Sequence, residues 1–334
     1  MVPARAAELK LPDMVAALRE LLAQVPAGRV TTCGKLAEAL GDRVAALWVA
    51  RWLSGHEHPA ECPCHRVVRA TGRLGAYVGG DEAAKARRLA AEGVEAAGGL
   101  VDLERFVFER LRGPRPLALL RQWQEDVARR VRLAARCRVP ARVGGVDVSY
   151  AAGDVAVAAY VLVEVESGAV VYRHTLRSPA TFPYISSFLA FRELPVLLAL
   201  IEAVRAAGQL AGVVLVDGSG VLHPRRSGIA CHLGVAASLP TVGVTKKLLV
   251  GETALTGMEP LEGRPIMMKG RRVGTALRPT AGSRRPIFVS PGHRVDAAFA
   301  EMLVRRLLRG RRLPEPLYWA DRLSREEARR VVRR

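Results

Sequence analysis

Two sets of side chains in this 334-residue chain carry reactive chemistry. The first is Asp147 in Gly-Val-Asp-Val-Ser-Tyr, Glu193 in Ala-Phe-Arg-Glu-Leu and Asp217 in Leu-Val-Asp-Gly-Ser-Gly. All three stand at the ends of expected elements, where carboxylates from separate segments converge and hold a divalent cation through oxygen. Any one of them alone reads more readily as a solvated or turn residue, Asp217-Gly218 above all, so the signal lies in the combination. The second set is Cys64 beside His65 in Pro63-Cys64-His65-Arg66. A thiol is a weak nucleophile until it loses its proton, and a nearby imidazole can take or relay that proton. Taken singly, a cysteine is more often a small packing residue, and Cys33 and Cys62 read that way. Cys62-Pro63-Cys64 offers two thiols, but no second cysteine pair follows. A structural zinc site would have to recruit His56, His58 or His65 at awkward local spacing, and zinc is disfavoured.

These residues sit in a basic, folded chain. Lys and Arg number 51 against 32 Asp and Glu, a net charge of +19 with a pI near 10.8. That balance favours polyanions, DNA or RNA, as partners. An apolar content of 50%, a charged content of 25% and a mean hydropathy of +0.11 are globular values, so a disordered basic tail does not account for the excess. The charge is uneven: up to Gly113 there are 16 basic and 14 acidic residues, and from Pro114 onward 35 and 18. Five cysteines, at 33, 62, 64, 137 and 231, are an odd and irregular set, a poor disulfide framework. The opening lacks an apolar targeting core, and no run of about 18 uncharged apolar residues follows. A cytoplasmic monomer without membrane contact is therefore expected.

The elements that must position the reactive residues fall into two patterns. Residues 13–25 predict an amphipathic helix, Gly34–Gly41 and Arg43–Leu53 a helix-turn-helix, Gly72–Gly80 a loop and Ala83–Ala91 a helix. Punctuation at Gly98-Gly99 and Gly113-Pro114-Arg115-Pro116 marks a boundary, and a helix follows over Leu117–Ala135. Beyond it, residues 145–150, 155–166 and 169–176 predict an antiparallel strand ribbon. A helix over Leu194–Ala207, strands at 213–216 and 241–244 and a partly loose arginine-rich end complete an α/β pattern. The division is 10–97, a connector at 98–113, and 114–334.

Residues 10–97 resemble the catalytic domain of methylated-DNA–protein-cysteine methyltransferases. The Pro63-Cys64-His65-Arg66-Val67-Val68 word, Gly75-Ala76-Tyr77-Val78-Gly79-Gly80 and Ala91-Glu92-Gly93 carry the likeness. It implies a mainly helical, winged helix-turn-helix-like domain that transfers an O6-alkyl group from an extruded guanine to Cys64. It further implies that His65 and Glu92 relay the thiol proton and that Tyr77 contacts the guanine. Three positions depart from the family: Leu47 replaces the arginine that fills the space of the flipped base, Cys33 replaces a tyrosine, and His56 replaces a hinge asparagine.

Residues 114–320 resemble endonuclease V. Here the matching words are Pro183-Tyr184-Ile185, Phe191-Arg192-Glu193, Asp217-Gly218-Ser219-Gly220, His223-Pro224-Arg225-Arg226, Gly243-Val244-Thr245-Lys246 and Gly292-His293-Arg294-Val295. The likeness implies a ribonuclease H-like α/β fold and incision at the second phosphodiester bond 3′ to deoxyinosine. Asp147, Glu193 and Asp217 would hold Mg²⁺, with Mn²⁺ as a substitute. His293 would position the water, Lys246 would clamp the phosphate, and His223 would act in catalysis or phosphate contact. Tyr184-Ile185 would wedge the strands apart, with Ser186 in place of a usual proline. Gly218 and Gly220 would let the extruded base approach the backbone, and Arg225 and Arg226 would contact phosphates.

The reading is a DNA-repair protein joining a deoxyinosine 3′ endonuclease to an alkyl acceptor. Its rivals are a nuclease with a damage-binding but non-transferring first domain, an endonuclease of inosine-containing RNA, and a nucleic-acid-binding protein whose two sites have decayed.

Overall fold

In the computed structural model, residues 10–57, 61–133, 138–283 and 285–332 are described. His58, Cys137 and the last residues of the helix expected over Leu117–Ala135 lie outside them. The described chain forms two compact units. One comprises Leu11–Arg121 with Phe182–Phe188, and the other is the chain from Gln122 onward apart from that segment.

The first unit opens with α1, Met14–Ala23, because Met14, Ala17, Leu18, Leu21 and Leu22 recur at helical spacing and are all buried. Asp13 caps it, its carboxylate accepting from the Val15 and Ala16 amides at 2.9 Å. Strand β1 (Thr31–Thr32) leads into α2 (Cys33–Ala39), capped by Thr32, and a 3-10 turn precedes α3 (Ala46–Leu53). A second 3-10 turn, Pro63–Arg66, carries Cys64 and feeds β2 (Val67–Val68), which pairs in parallel with β1. Then come α4 (Glu82–Ala91), the antiparallel pair β3 (Ala96–Ala97) and β4 (Leu100–Val101), and α5 (Leu103–Phe106). Val30, Val68, Leu74, Leu89, Val94, Val101 and Phe106 form a core between these pieces. Helix α6 spans Pro116–Arg130, with proline in its first turn where a missing amide is harmless.

The second unit is built on an eight-stranded mixed sheet. Its strands are β5 (Arg142–Ala151), β6 (Val155–Glu164), β7 (Val170–Pro179), β8 (Val214–Asp217), β9 (Thr241–Thr245), β10 (Gly263–Met268), β11 (Arg271–Leu277) and β12 (Ile287–His293). The order across the sheet is β10-β11-β12-β9-β8-β5-β6-β7. The β5-β6-β7 ribbon is antiparallel, β5, β8 and β9 run parallel, and the β9-β12-β11-β10 side is antiparallel.

Side-chain alternation explains the layers. Val214 and Val216 belong to a core shared with α7 (Leu189–Ala206) and α8 (Ile229–Ala237). Val213 and Leu215 face a second core holding Phe299, Leu303 and Leu317 of α9 (Ala297–Leu307) and α10 (Glu315–Val332). Both faces are covered, and β6 accordingly reads as an almost unbroken apolar run.

Two expectations are corrected here. Helix α7 starts at Leu189, ahead of the expected Leu194, and runs through Pro195. The lost amide costs about 3 kcal/mol, whereas burying Phe191 and Leu194 returns roughly 1.5–3 kcal/mol each. Glu193 therefore lies inside a helix rather than at an element end. The arginine-rich end is also helical through Val332. Leu317, Ala320, Ser324 and Ala328 form its buried face, while Arg322–Glu326 and Asp321–Arg325 pair along its length. Among the described residues no helix is long and apolar enough to cross a membrane.

Candidate active sites

Strands β5 and β8 are parallel neighbours, with Val146 opposite Val216, so Asp147 and Asp217 emerge side by side at the next position. Helix α10 lays Asp321 against them. One carboxylate oxygen from each of Asp147, Asp217 and Asp321 lies within 4.8 Å of the others. Ser324, one turn further along α10, donates to Asp147 and lies 2.8 Å from the Ser149 hydroxyl. Burial, then the charge of Asp217, pushes Asp147 up to about 7. Glu193 on α7 is also driven well above the usual carboxylate range, by burial and then by Asp147 and Asp217. Lys246, just past β9, donates to Asp217 at 2.8 Å and Asp321 at 3.0 Å. Burial works against that ammonium, but the two carboxylates outweigh it and hold its pKa above the ordinary lysine value. Closely spaced carboxylates that resist ionisation are the donor set of a hard divalent cation, and these residues fit one.

The first unit holds a separate pocket of about 550 Å³, lined among others by Cys33, Arg43, Cys64, Tyr77 and Lys85. Cys64 is buried, and its thiol is pushed up to about 12 by burial and then by Cys62. His65 Nε2 lies 2.9 Å from Glu92, and its Nδ1 is buried without a protein hydrogen-bond partner. Arg66 grips Glu92 through Nε at 2.8 Å and Nη2 at 2.7 Å. Burial lowers His65 below the ordinary imidazole value, which keeps the ring neutral. Burial would raise Glu92, yet Arg66 and His65 overcome it and keep the carboxylate ionised. Arg88 donates to the Tyr77 hydroxyl at 2.8 Å. Lys85 is buried, donates to the Val67 and Leu74 carbonyls at 2.6 Å each, and is pulled down to about 8 by burial. These contacts pin the pocket wall to β2 and the loop before α4.

Residues 125–322 match the family model described as endonuclease V. The chain belongs to the endonuclease V family. Residues 13–94 match a second model, described as the DNA-binding domain of 6-O-methylguanine DNA methyltransferase. Endonuclease V of Azotobacter vinelandii (strain DJ / ATCC BAA-1303) is 41% identical over 206 residues, 61% of this chain and 91% of that protein. Endonuclease V of Xylella fastidiosa (strain Temecula1 / ATCC 700964) is 38% identical over 216 residues, 64% and 89% of the two chains. The solved catalytic domain of human endonuclease V superposes with a TM-score of 0.61 at 39% identity, covering 65% of this chain and 97% of that one. Endonuclease V of Ciona intestinalis, solved with a 24mer DNA containing an inosine followed by a ribo-adenosine, gives a TM-score of 0.58 at 28% identity, covering 64% and 98%.

Within the endonuclease V unit the expected residues part company. Asp147, Asp217 and Lys246 come together, with Glu193 electrostatically coupled to both aspartates. His293 does not join them. It pairs with Thr241 at the far end of β12, while Asp217 is level with Val244 and Val289, roughly 13 Å away at strand spacing. Because β12 runs antiparallel to β9, a motif at its C-terminal end is carried away from the carboxylates. His293 instead accepts from the Arg132 amide at 3.3 Å and is lowered to about 4 by burial and then Arg294. Asp321 and Ser324 take the place that sequence reasoning gave to His293. Their signal was the buried face of α10, hidden among arginines.

His223 is buried in the loop after β8, its Nδ1 accepting from the Arg225 amide at 3.3 Å. Arg225 donates from Nε to Gln124 of α6, and Arg226 is exposed with φ 53°. At Gly218 a Cβ would fall 2.2 Å from Ile229, and at Gly220 2.1 Å from the Pro291 carbonyl. The close approach these two glycines permit in this structure is thus to the protein itself. The Tyr184-Ile185 pair is split, with Tyr184 exposed and Ile185 buried. In the first unit Leu47 projects from α3, 61% exposed, and Cys33 lines the Cys64 pocket.

Proposed function

We propose that this DNA-repair endonuclease nicks DNA at the second phosphodiester bond 3′ to deoxyinosine with Mg²⁺, and that its first unit accepts the alkyl group of O6-alkylguanine on Cys64. The observation that carries the nuclease reading is the Asp147–Asp217–Asp321 cluster bridged by Lys246. Asp147, Asp217 and Asp321, with Glu193 beside them, would hold the Mg²⁺, with Mn²⁺ able to substitute. Its charge would polarise the scissile phosphate and stabilise the leaving oxygen. Lys246 brings a positive charge to the same point and, when substrate draws it from the aspartates, can hold a phosphate oxygen. Water adds to phosphorus as the bond to the 3′ oxygen breaks, leaving a 3′-hydroxyl and a 5′-phosphate. Tyr184, exposed and planar, is suited to stack where the deaminated base is extruded.

The acceptor reading rests on Cys64 and the His65–Glu92 pair. Glu92 holds His65 Nε2, so the Nδ1 side of the ring is left to take the thiol proton. The thiolate then attacks the alkyl carbon, the bond from that carbon to O6 breaks, and guanine leaves with a proton, for which the Tyr77 hydroxyl is the nearby donor. The transferred group stays on sulfur, so each Cys64 acts once.

Duplexes carrying either deoxyinosine or labelled O6-methylguanine test both halves separately. Wild type should nick the first with Mg²⁺ and become labelled by the second. Asp217→Ala should lose only nicking and Cys64→Ala only labelling. Absence of Mg²⁺-dependent nicking beside inosine sinks the nuclease assignment. Absence of label on wild type reduces the first unit to a damage-binding module, and faster cutting of inosine-containing RNA moves the substrate to RNA.

A further inference from the structure

Cys62 and His56 flank Cys64 in a cluster that alkyl transfer does not require. The two sulfurs and a His56 ring nitrogen all lie within 4.8 Å of one another, and His56 Nε2 is 3.3 Å from Cys62 Sγ. A tetrahedral zinc with bonds of about 2.3 Å to sulfur and about 2.0 Å to nitrogen has edges of roughly 3.5–3.8 Å; the His56–Cys62 edge, at 3.3 Å, is close to that, and Cys64 Sγ lies within 4.8 Å of both atoms. His56 Nδ1 faces the Leu53 carbonyl at 3.1 Å. A carbonyl only accepts, so Nδ1 carries the proton and the Nε2 lone pair is turned towards sulfur, the arrangement of metal-bound histidines. Trp52 stacks on the ring at 4.4 Å and 20°, fixing its plane. His56 and Cys64 are buried and Cys62 is half-buried, which limits competition from water. His65, by contrast, is committed to Glu92. The compact spacing expected to disfavour zinc is resolved by the turn after α3, which brings His56 back against Cys62 and Cys64.

We propose that His56, Cys62 and Cys64 bind a thiophilic divalent cation of the Zn²⁺ class, leaving a fourth position to solvent, and that the bound ion masks Cys64. Two thiol protons are released to solvent as two metal–sulfur bonds form, with no change in oxidation state. The sulfur lone pair that would attack an alkyl carbon is then committed to the metal. Thiolate and imidazole select Zn²⁺ over Mg²⁺, so this site and the carboxylate cluster take different ions. The masking of an alkyl acceptor rests on the function proposed for Cys64; the metal site does not.

Co²⁺ added to the full-length, chelator-treated protein reads the site directly, because thiolate ligands give a near-ultraviolet charge-transfer band that carboxylates do not. The expected result is a band that saturates at a single Co²⁺, is displaced by Zn²⁺, disappears in Cys62→Ser and weakens about tenfold or more in His56→Gln. Zn²⁺ should also slow iodoacetamide labelling of Cys64 by about tenfold or more, reversed by chelator. No band in wild type, or an unchanged band in Cys62→Ser, overturns the proposal. Circular dichroism of the variants checks their folding, and if Cys62→Ser does not fold, the wild-type band and the labelling decide. Transfer from O6-methylguanine to the zinc-free protein is measured alongside; its absence sinks the acceptor function and leaves the metal site standing.

Discussion

Burial and Asp217 hold Asp147 near pH 7, so protons and a divalent cation compete for the same carboxylate within the physiological range. The folded pKa lies above the ordinary 3.8, so the protonated form is favoured by folding and the ionised form by metal. Single-turnover incision at fixed, subsaturating Mg²⁺ should rise by about tenfold per pH unit below 7 and level off above it. Raising Mg²⁺ should move that rise to lower pH. In metal-free protein the same group removes stability as pH climbs from about 4 to about 7, so thermal denaturation over that interval should show a falling midpoint that Mg²⁺ restores. A profile flat from pH 5 to 8 at every Mg²⁺ concentration would contradict the cluster's role. Asp147 and Asp217 were legible because each sits in a recognisable word in the sequence, Gly-Val-Asp-Val-Ser-Tyr and Leu-Val-Asp-Gly-Ser-Gly. Asp321 was not, because Trp-Ala-Asp-Arg inside an arginine-rich helix has no local mark of chemistry; only the packing of α10 on β5 turns it inward.

At the scale of elements, the loop after β8 is held against β9 by close backbone packing, with the Gly220 amide also donating to the Ser290 hydroxyl at 2.9 Å. A Cβ at Gly243 of β9 would fall 2.4 Å from the Gly220 amide nitrogen and 2.5 Å from the Gly218 carbonyl, neither of which can swing aside. Gly243→Ala should therefore push that loop away from β9, cost about 1–3 kcal/mol in denaturant unfolding and depress incision more than stability alone explains. Retention of wild-type incision would show that the loop position does not matter. The β5-β6-β7 ribbon, α1 and β8 were legible from periodicity, because each buries a face at strand or helix spacing. Helix α7 was only half legible: the expected helix began at Leu194, whereas the observed one starts at Leu189, buries Phe191 and Leu194 and runs through Pro195. His293 was misplaced because sequence words do not reveal strand direction, and the antiparallel course of β12 carries it to the opposite end of the sheet from Asp217. Strands β10, β11 and β12 had no counterpart among the expected elements, and the β10–β11 pairing is interrupted by an irregularity at Ile266/Met267.

Over the whole molecule the charge has an address. Up to Gly113 the net charge is +2, and from Pro114 onward it is +17. Non-specific affinity for duplex DNA should accordingly come mostly from the endonuclease V portion and fall steeply with salt, by about tenfold or more between 50 and 200 mM. Leu47→Arg, which adds a cation on an exposed face of α3, should raise the affinity of the full chain for O6-methylguanine duplexes by about 2–10-fold and leave inosine incision unchanged. Equal salt sensitivity with and without the arginines of the C-terminal portion neutralised would contradict this division. The most direct test of the nuclease centre compares Mg²⁺-dependent single-turnover incision of a deoxyinosine duplex by wild type, Asp321→Asn and His293→Gln, with folding of each checked by thermal denaturation. The structure predicts a loss of about 100-fold or more for Asp321→Asn and a change within about threefold for His293→Gln. Near-normal incision by Asp321→Asn together with an inactive, folded His293→Gln would contradict the carboxylate centre described here.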